Sequence, residues 1–243
     1  GGTLLAVSAN VLNQIFEVET DRLMERTANR PLVTGEITKN SAYVYSIFLG
    51  VSGFLILYTQ TTELAALIAL SANIFYSFIY TLFLKPRTNQ NIVIGGAAGA
   101  APVLIGWSAT GTNLETGSWL LFLLVFLWTP AHFWALSIDK LNDYKDANFP
   151  MLPTQESYKR TSIFIGIYSC ATVLTSLLLA PILQLGIVYL LLALIFGIYL
   201  MYKSYQLYQK KIKAISYFVF SNTYLAAIFL SMVADIFFTL SNI

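Results

Sequence analysis

Eight long apolar segments dominate this chain and restrict what it can fold into. An α-helix needs about 20 apolar residues to cross the roughly 30 Å hydrocarbon core of a bilayer. Hydrophobic residues make up 57% of the chain and charged residues 11%, whereas soluble domains carry about 25% charged residues. The sequence therefore predicts an all-α fold, a polytopic transmembrane helical bundle. Its spans lie near residues 1–16, 41–58, 64–84, 91–108, 118–138, 161–180, 183–202 and 215–240.

The Lys and Arg residues predict which side of the membrane each loop faces. All fourteen lie in four segments on one side of the predicted bundle: 17–40, 85–90, 139–160 and 203–214. The loops on the other side contain none. Because Lys and Arg accumulate in cytoplasmic loops, we expect the charged side to face the cytoplasm. We expect a multi-pass protein of the cell inner (plasma) membrane, with its active site on the cytoplasmic side.

The first apolar segment opens with Gly1 and Gly2, without an initiating Met or a signal-like basic region. We interpret the chain as an N-terminally truncated piece that lacks its first helix, so that eight spans of an expected nine are present. We expect residues 1–243 to form a single integral-membrane domain. The net charge of +2 is too small to indicate a nucleic-acid partner, whereas the composition requires the lipid bilayer as a partner.

Asn13, Glu17, Asp21 and Glu25 recur every four residues at the end of the first apolar segment. On a helix this spacing places them along one face, where like charges repel each other. A cation between them would remove that repulsion. Mg²⁺ is the obvious candidate, because it prefers carboxylate and amide oxygens and usually keeps coordination places for substrate phosphates. We therefore predict a metal site on Asn13, Glu17 and Asp21.

A second acidic pair, Asp139 and Asp143, has the same spacing at the cytoplasmic end of a later span. Two acidic faces on separate helices can share Mg²⁺ ions bound to one diphosphate. Each motif alone can equally be a solvated helix end whose acids balance nearby arginines. Two motifs on the same side favour the metal interpretation, because ionisable residues at the membrane boundary are functional by default unless paired. We therefore predict Asp139 and Asp143 as metal ligands, and Asp21 and Asp143 as catalytic.

Basic residues accompany the first acidic motif and suit the binding of phosphate groups. Arg22, Arg26 and Arg30 form a row with the same four-residue spacing, and Lys85 and Arg87 lie in the short segment KPRTNQN. Arginine offers bidentate bonds to phosphate, and lysine offers a point charge. The basic residues of KPRTNQN are equally consistent with ordinary anchors on the cytoplasmic side.

The only histidine, His132, lies seven residues before Asp139, which is two helical turns along the same face. A neutral imidazole can ligate haem iron or carry a proton. It can equally be a hydrogen-bonded core side chain, since it lies among aromatic residues in TPAHFWAL. The residues alone leave these interpretations open.

Four segments carry a resemblance to a known family. They are NQIFEVETDRLMERTANRPLVTGEI (13–37), KPRTNQNIVIGGAAGAAPVLIGW (85–107), LWTPAHFWAL (127–136) and DYKDANFPMLP (143–153). Together they resemble the UbiA superfamily of intramembrane prenyltransferases, and within it the haem O synthase branch. The chain departs from the family's usual first motif, NDxxD or NNxxD, since it has Gln14 and Glu17 after Asn13. It also has Ala131 where the family often has Pro.

The resemblance implies a UbiA-like bundle whose central cavity opens toward the cytoplasm. It implies Mg²⁺ as the cofactor, farnesyl diphosphate as the donor and haem b as the acceptor. The farnesyl group would be transferred to a haem vinyl side chain, giving haem O and diphosphate, and a downstream haem-modifying enzyme is an expected partner. The resemblance places haem at His132. It places the diphosphate on a basic set: Arg26, Arg30, Lys85, Arg87 and Lys140.

Two other functions remain open from the sequence. One is a prenyltransferase of the same superfamily that acts on an aromatic or quinone precursor. The other is a transporter of an organic anion or haem, whose charged loops form a vestibule. A transporter more often has interrupted helices that meet at mid-membrane, whereas the charges here gather on one side.

Overall fold

The computed structural model describes residues 1–241, with side chains described through residue 238. Within these residues the regular structure is entirely helical, which confirms the predicted fold class. The helices follow in chain order as α1 (Gly2–Phe16), α2 (Val18–Asp21), α3 (Pro31–Thr34), α4 (Lys39–Gln60), α5 (Glu63–Leu84), α6 (Asn91–Ser108), α7 (Thr116–Asp139), α8 (Leu141–Asp146), α9 (Leu152–Gln155), α10 (Tyr158–Ile182), α11 (Ile187–Tyr208) and α12 (Ala214–Ser241).

Seven helices of the described residues are long and apolar enough to cross a membrane, namely α4, α5, α6, α7, α10, α11 and α12. Helix α1 is apolar but has only 15 residues. All eight predicted segments are therefore helical, and seven of them reach the length of a span. Large apolar side chains on these helices are exposed, among them Phe48 at 65% and Ile195 at 61%. Surfaces of this kind are suited to contact with lipid, so the chain is an integral membrane protein.

The chain divides into two compact units. The first comprises Gly1–Leu114 with Lys140–Gln155, and the second comprises Glu115–Asp139 with the chain from Glu156 onward. In the first unit α1 packs against α4 and α5. The Asn73 side chain of α5 donates a hydrogen bond to the Leu5 carbonyl of α1 (2.8 Å). This bond fixes the position of α5 along the axis of α1. Helix α1 leads into the first acidic motif.

In the second unit α7, α10, α11 and α12 pack together. Buried hydroxyl groups join these helices: the Tyr217 and Ser169 oxygens lie 2.6 Å apart, and Tyr224 donates to the Ser176 oxygen at 2.9 Å. The large majority of buried polar side chains in proteins are hydrogen-bonded, because an unpaired buried polar group is costly. These contacts therefore set the register of α12 against α10.

Asp235, an acid within α12, accepts a hydrogen bond from the Gly186 backbone amide (2.7 Å). Gly186 is the residue that precedes α11. A carboxylate at the start of a helix satisfies a free amide and interacts favourably with the helix dipole. Asp235 therefore has a structural role at the N-terminus of α11.

The second half of α5, Phe75–Leu84, is a π-helix of ten residues. The Lys85 amide donates to the Tyr80 carbonyl, five residues earlier, at 2.8 Å. The Thr81 hydroxyl donates to the Tyr76 carbonyl at 2.9 Å. π-Helices are rare, and they frequently occur at functional sites. This segment leads directly into the basic loop that begins at Lys85.

Candidate active site

Asn13, Glu17 and Asp21 form a buried polar face across the junction of α1 and α2. Helix α1 ends at Phe16, and the next residue, Glu17, has a φ of −103° and a ψ of 10°, which depart from helical values. The Glu17 amide still donates to the Asn13 carbonyl (3.0 Å), and the Asp21 amide donates to the Glu17 carbonyl (2.7 Å). The three residues therefore remain one turn apart, and they are only 6%, 6% and 4% exposed. Charged groups at such burial need a partner or a metal ion.

The predicted continuation of this row to Glu25 is wrong, because α2 ends at Asp21. The Thr27 hydroxyl donates to the Asp21 carbonyl at 2.8 Å, and the Met24 amide donates to it at 3.3 Å. In a continuing α-helix the Glu25 amide would donate to the Asp21 carbonyl. Here the Thr27 hydroxyl and the Met24 amide occupy that carbonyl instead. The chain turns away here, and Glu25 is exposed.

Two cations reach the buried acids. Lys85 Nζ lies 2.6 Å from the Glu17 carboxylate, and the Arg30 guanidinium is bonded to the Asp21 carboxylate. The Glu17 and Asp21 side chains are 8% and 5% exposed, whereas those of Lys85 and Arg30 are 18% and 26% exposed. Charge-assisted hydrogen bonds of this kind are stronger than neutral ones. Each buried carboxylate thus has its own cation, which arrives from a different loop.

The other predicted diphosphate residues of this region do not join these pairs. The segment that follows α2 forms turns, so the predicted helical row of Arg22, Arg26 and Arg30 does not exist. Arg26 is exposed, and the Arg87 guanidinium donates to the Leu82 carbonyl. Of the arginines that follow the first acidic motif, Arg30 therefore contacts the buried acids, whereas Arg26 is exposed.

A row of polar residues runs along α5 to Lys85, the residue that follows this helix, and only Lys85 was predicted from the sequence. Asn73, Ser77, Thr81 and Lys85 recur every four residues in an otherwise apolar span. Asn13 Nδ2 donates to the Thr81 hydroxyl at 3.2 Å, which orients the Asn13 amide. Ser77 is fully buried, and its hydroxyl has no hydrogen-bond partner within the described part of the chain. The four-residue spacing was the signal that could have revealed this row.

Tyr80 is held in the π-helix by close packing. Its ring stacks on Tyr76, with centroids 5.4 Å apart and planes inclined by 22°. A Cβ at Gly95 of α6 would lie 2.6 Å from Tyr80 Cε2 and 3.2 Å from Cγ. Only glycine at position 95 leaves room for the ring. At Gly99, one turn later, no atom outside the adjacent backbone of α6 lies within 4 Å of the place that a Cβ would take, so this glycine carries no such constraint.

The second acidic segment is anchored beside the first motif by apolar packing. Asp143 lies on α8 and is half-buried. The residues that follow it join Met24 and Ile92 in one buried cluster, with Tyr144 packed against it: Met24, Ile92, Ala147, Phe149 and Met151. Lys85 Nζ lies 4.6 Å above the Phe149 ring. Lys85 therefore contacts both the Glu17 carboxylate and the segment that contains Asp143.

Asp139 and Lys140 lie at a break between α7 and α8. Asp139 is the last residue of α7, belongs to the second unit and is exposed. Lys140 is exposed and has a φ of −104° and a ψ of 32°, so the helix does not continue to Asp143. The expectation that Asp139 and Asp143 share one helical face is therefore wrong. Their predicted roles as metal ligands, and that of Lys140 toward diphosphate, stay predictions.

The donor set of the first motif fits Mg²⁺ together with a diphosphate. In the described residues, no group of three or more His, Cys, Asp or Glu side chains is arranged to hold a metal ion by itself. The first motif supplies two carboxylates and one amide, all buried. Mg²⁺ is usually bound by one or two carboxylates plus substrate phosphates, without an all-protein cage. The residues therefore suit a site that substrate completes.

His132 of α7 lies in the second unit, in a stack of aromatic rings. Its ring centroid is 4.2 Å from that of Trp128 and 4.1 Å from that of Phe218, and the interplanar angles are 21° and 24°. Nδ1 lies 2.7 Å from the Ser221 hydroxyl. The interpretation of His132 as a hydrogen-bonded, buried side chain is confirmed. The role toward haem stays a prediction.

Comparison with known proteins identifies relatives over nearly the whole chain. The chain is 43% identical over 240 residues to a protoheme IX farnesyltransferase of Clavibacter sepedonicus, covering 97% of this chain and 78% of that protein. It is 44% identical over 239 residues to a protoheme IX farnesyltransferase of Synechocystis sp., covering 97% and 76%.

A solved structure with the same fold comes from Archaeoglobus fulgidus and is described as a UbiA homolog bound to DMAPP and Mg²⁺. It superposes with a TM-score of 0.66 at 15% sequence identity, over 96% of this chain and 87% of that one. At this identity the likeness concerns the fold. The model of the UbiA prenyltransferase family matches residues 1–233. With its helical membrane fold and its buried acidic motif, the chain belongs to the UbiA prenyltransferase family.

Proposed function

We propose that this chain transfers the farnesyl group of farnesyl diphosphate to a vinyl side chain of haem b, giving haem O and diphosphate. The relatives named protoheme IX farnesyltransferase, at 43% and 44% identity over 97% of the chain, support this acceptor and donor. The structural observation that carries the proposal is the buried face of Asn13, Glu17 and Asp21, with Lys85 and Arg30 on its two acids. A farnesyl diphosphate supplies the anion that such a face and its cations can bind.

Lys85 and Arg30 hold the leaving group in this proposal. Both now bond carboxylates, and phosphate oxygens accept the same charge-assisted bonds. Each cation can therefore exchange a carboxylate for a diphosphate oxygen without losing a charged partner. In the new position they stabilise the negative charge that grows on diphosphate as the allylic C–O bond breaks.

Asn13, Glu17 and Asp21, with Asp143 from the second motif, are the residues that would hold Mg²⁺ in the first unit. Bound there, Mg²⁺ supplies electrostatic stabilisation of the departing diphosphate. The Thr81 hydroxyl accepts from Asn13 Nδ2 and so leaves the Asn13 carbonyl oxygen as the ligand atom. Asp143 suits the role of a further ligand, because it is half-buried and forms no ion pair with another described residue.

The bond changes on the acceptor follow from haem b and the donor. The terminal vinyl carbon bonds the farnesyl C1 as the diphosphate leaves, and the other vinyl carbon becomes cationic. Water adds to that carbon and loses a proton, which leaves the hydroxyl group of haem O. An apolar, water-poor environment protects the allylic group until the vinyl group attacks. His132 is the proposed contact of the haem.

The same proposal places the protein in the inner (plasma) membrane, with the acidic motifs at the cytoplasmic side. The support is the distribution of Lys and Arg, all fourteen of which lie in the segments 17–40, 85–90, 139–160 and 203–214 on one side of the predicted bundle. Haem O is a substrate for a haem-modifying enzyme that acts next, and such an enzyme is the proposed downstream partner.

The test is to incubate the purified protein in lipid nanodiscs with haem b, farnesyl diphosphate and Mg²⁺. We expect a haem heavier by one farnesyl group and one hydroxyl group, with one diphosphate released per haem. Glu17→Gln should abolish the product, whereas Glu19→Gln should not, because Glu19 is exposed and pairs only with exposed Arg22. Prenylation of 4-hydroxybenzoate in place of haem would instead identify an aromatic or quinone precursor as the acceptor.

A further inference from the structure

The imidazole of His132 is fixed in direction by its neighbours in the second unit. Trp128 and Phe218 lie nearly parallel to it on its two faces, at centroid distances of 4.2 Å and 4.1 Å. His132 itself is 5% exposed. Rings packed on both faces prevent the imidazole from turning out of its plane. The Phe133 ring is also in T-shaped contact with the imidazole, with centroids 5.2 Å apart and planes at 86°, so a ligand can reach the imidazole only along the rest of its edge.

The proton position on this ring follows from the contacts of Ser221. Its hydroxyl oxygen lies 2.7 Å from His132 Nδ1 and 2.7 Å from the Phe218 carbonyl oxygen. The hydroxyl has one proton, and a carbonyl oxygen can only accept. Both contacts are hydrogen bonds only when Ser221 donates to the carbonyl and the Nδ1–H donates to Ser221. The neutral imidazole therefore carries its proton on Nδ1 and its lone pair on Nε2.

Nε2 is the ring nitrogen that remains for a ligand. It has no hydrogen-bond partner among the described residues. Four side-chain polar atoms in the described residues are fully buried and lack a hydrogen-bond partner, and Nε2 is not one of them: Ser77 Oγ, Asn91 Oδ1, Trp134 Nε1 and Thr161 Oγ1. A neutral imidazole nitrogen whose lone pair is not hydrogen-bonded can accept a proton or ligate a metal ion.

Histidines that ligate metals almost always donate their other N–H to a second group, which fixes the tautomer and raises the basicity of the ligating nitrogen. We propose that Ser221, bonded to the Phe218 carbonyl, is a positioning residue that holds His132 as the Nδ1–H tautomer, so that Nε2 ligates the iron of the bound haem. This proposal rests on haem being the acceptor, as proposed above. It adds the mode of haem attachment and the residue that controls it.

The test is a titration of ferric haem b into the purified protein in nanodiscs, without farnesyl diphosphate, followed by the Soret band and by electron paramagnetic resonance. We expect the wild type to give the spectrum of histidine-ligated haem, and His132→Ala to lose it. Ser221→Ala should raise the haem dissociation constant by about 10- to 100-fold, as removal of such a supporting group does. Ser221→Thr keeps the hydroxyl and should bind as the wild type does.

Ser231 offers a matched control on the same helix. It is 6% exposed and donates to the Ile228 carbonyl, three residues earlier, at 2.9 Å. Ser221 donates to Phe218 with the same spacing. Ser231→Ala should therefore leave the haem spectrum and affinity unchanged. If Ser221→Ala binds haem as tightly as Ser231→Ala, or if His132→Ala keeps the wild-type spectrum, the proposal is overturned.

Activity measured on the same samples separates this proposal from the proposed function. Haem O formed by the wild type, together with an unchanged spectrum in His132→Ala, overturns iron ligation and leaves farnesyl transfer intact. The lone pair would then serve another step, such as accepting the proton of the attacking water. A His132-dependent spectrum without haem O from the wild type supports ligation and rejects the proposed reaction.

Discussion

Replacing Gly95 by alanine tests whether the Tyr80 ring fixes the geometry of the candidate active site. The new Cβ would lie 2.6 Å from Tyr80 Cε2 and 3.2 Å from Cγ, and closer still to Cδ2. Carbon atoms in contact normally stay about 3.5–4.0 Å apart. The ring must therefore retreat by about 1 Å. Because Tyr80 stacks on Tyr76 at a centroid distance of 5.4 Å, a movement of the ring also disturbs this contact.

The energetic consequence can be bounded with Gly99→Ala as the control. Forcing a methyl group into a packed site costs about 1–3 kcal/mol. Alanine also favours a helix over glycine by about 1 kcal/mol, and this gain applies equally to Gly99, which has no atom outside the adjacent backbone of α6 within 4 Å of the added position. The gain cancels in the comparison. We expect Gly95→Ala to be less stable than Gly99→Ala by about 1–3 kcal/mol.

The displacement should also reach the diphosphate site. The Lys85 amide bonds the Tyr80 carbonyl at 2.8 Å, and Lys85 Nζ lies 2.6 Å from the Glu17 carboxylate. A shift of Tyr80 therefore moves the cation that is proposed to hold diphosphate. We expect Gly95→Ala to raise the KM for farnesyl diphosphate, and Gly99→Ala to leave it unchanged.

The assay is thermal unfolding of both variants in the same detergent, combined with steady-state kinetics. A difference of 1 kcal/mol corresponds to about 2–4 °C in the unfolding temperature for a chain of this length. The reasoning is refuted if the two variants unfold at the same temperature and share the wild-type KM. A loss of stability without any change in KM would confine Tyr80 to a packing role.

Three further predictions concern the charged residues. Arg30→Ala should raise the KM for farnesyl diphosphate by about tenfold or more, because a charge-assisted bond is lost. The control Arg22→Ala, at an exposed position, should leave KM unchanged. Equal KM values for the two variants would contradict the assignment of Arg30 to diphosphate binding. Mg²⁺ should bind at least about tenfold more tightly when a non-hydrolysable farnesyl diphosphate analogue is present, since substrate phosphates complete its coordination; calorimetry showing equal affinity would oppose this. Asp235→Ala should lower the free energy of unfolding by about 1–2 kcal/mol, because the Gly186 amide loses its cap, while KM stays at the wild-type value in the same preparation.

The sequence was sufficient to predict the long apolar helices and the row of acidic residues at the end of α1. Apolar length and the one-sided distribution of Lys and Arg are properties of the chain itself, and they predicted all eight apolar helices. The row of Asn13, Glu17 and Asp21 was also visible, because one turn of helix needs only local hydrogen bonds. The prediction that the row continues to Glu25 was wrong, because the Thr27 hydroxyl donates a hydrogen bond to the Asp21 carbonyl and the helix ends there. Such competition depends on one side chain, and helical periodicity does not reveal it.

The partners of the acids could not be predicted from the sequence. Lys85 and Glu17 are 68 residues apart, and their contact depends on how α5 is placed against α1. That placement depends on the Asn73–Leu5 bond and on the unusual turn of the π-helix. An ordinary α-helix over Phe75–Leu84 would point Lys85 in a different direction, because the two helices differ in residues per turn. Tertiary packing therefore decided which basic residue meets which acid.

The pairing of charges explains why a metal and a diphosphate should enter this site together. Glu17 and Asp21 are balanced by Lys85 and Arg30, so the buried cluster carries two negative and two positive charges. A site that accepted a bare divalent cation would be left with excess positive charge, and one that accepted a bare diphosphate would be left with excess negative charge. Uncompensated charge is costly at such burial. When both enter, the two carboxylates can turn to the metal while the lysine and arginine turn to phosphate oxygens, and no charged group loses its partner. The cluster thus favours the metal–diphosphate complex over either component, although no group of three acids in the described residues forms a metal site by itself.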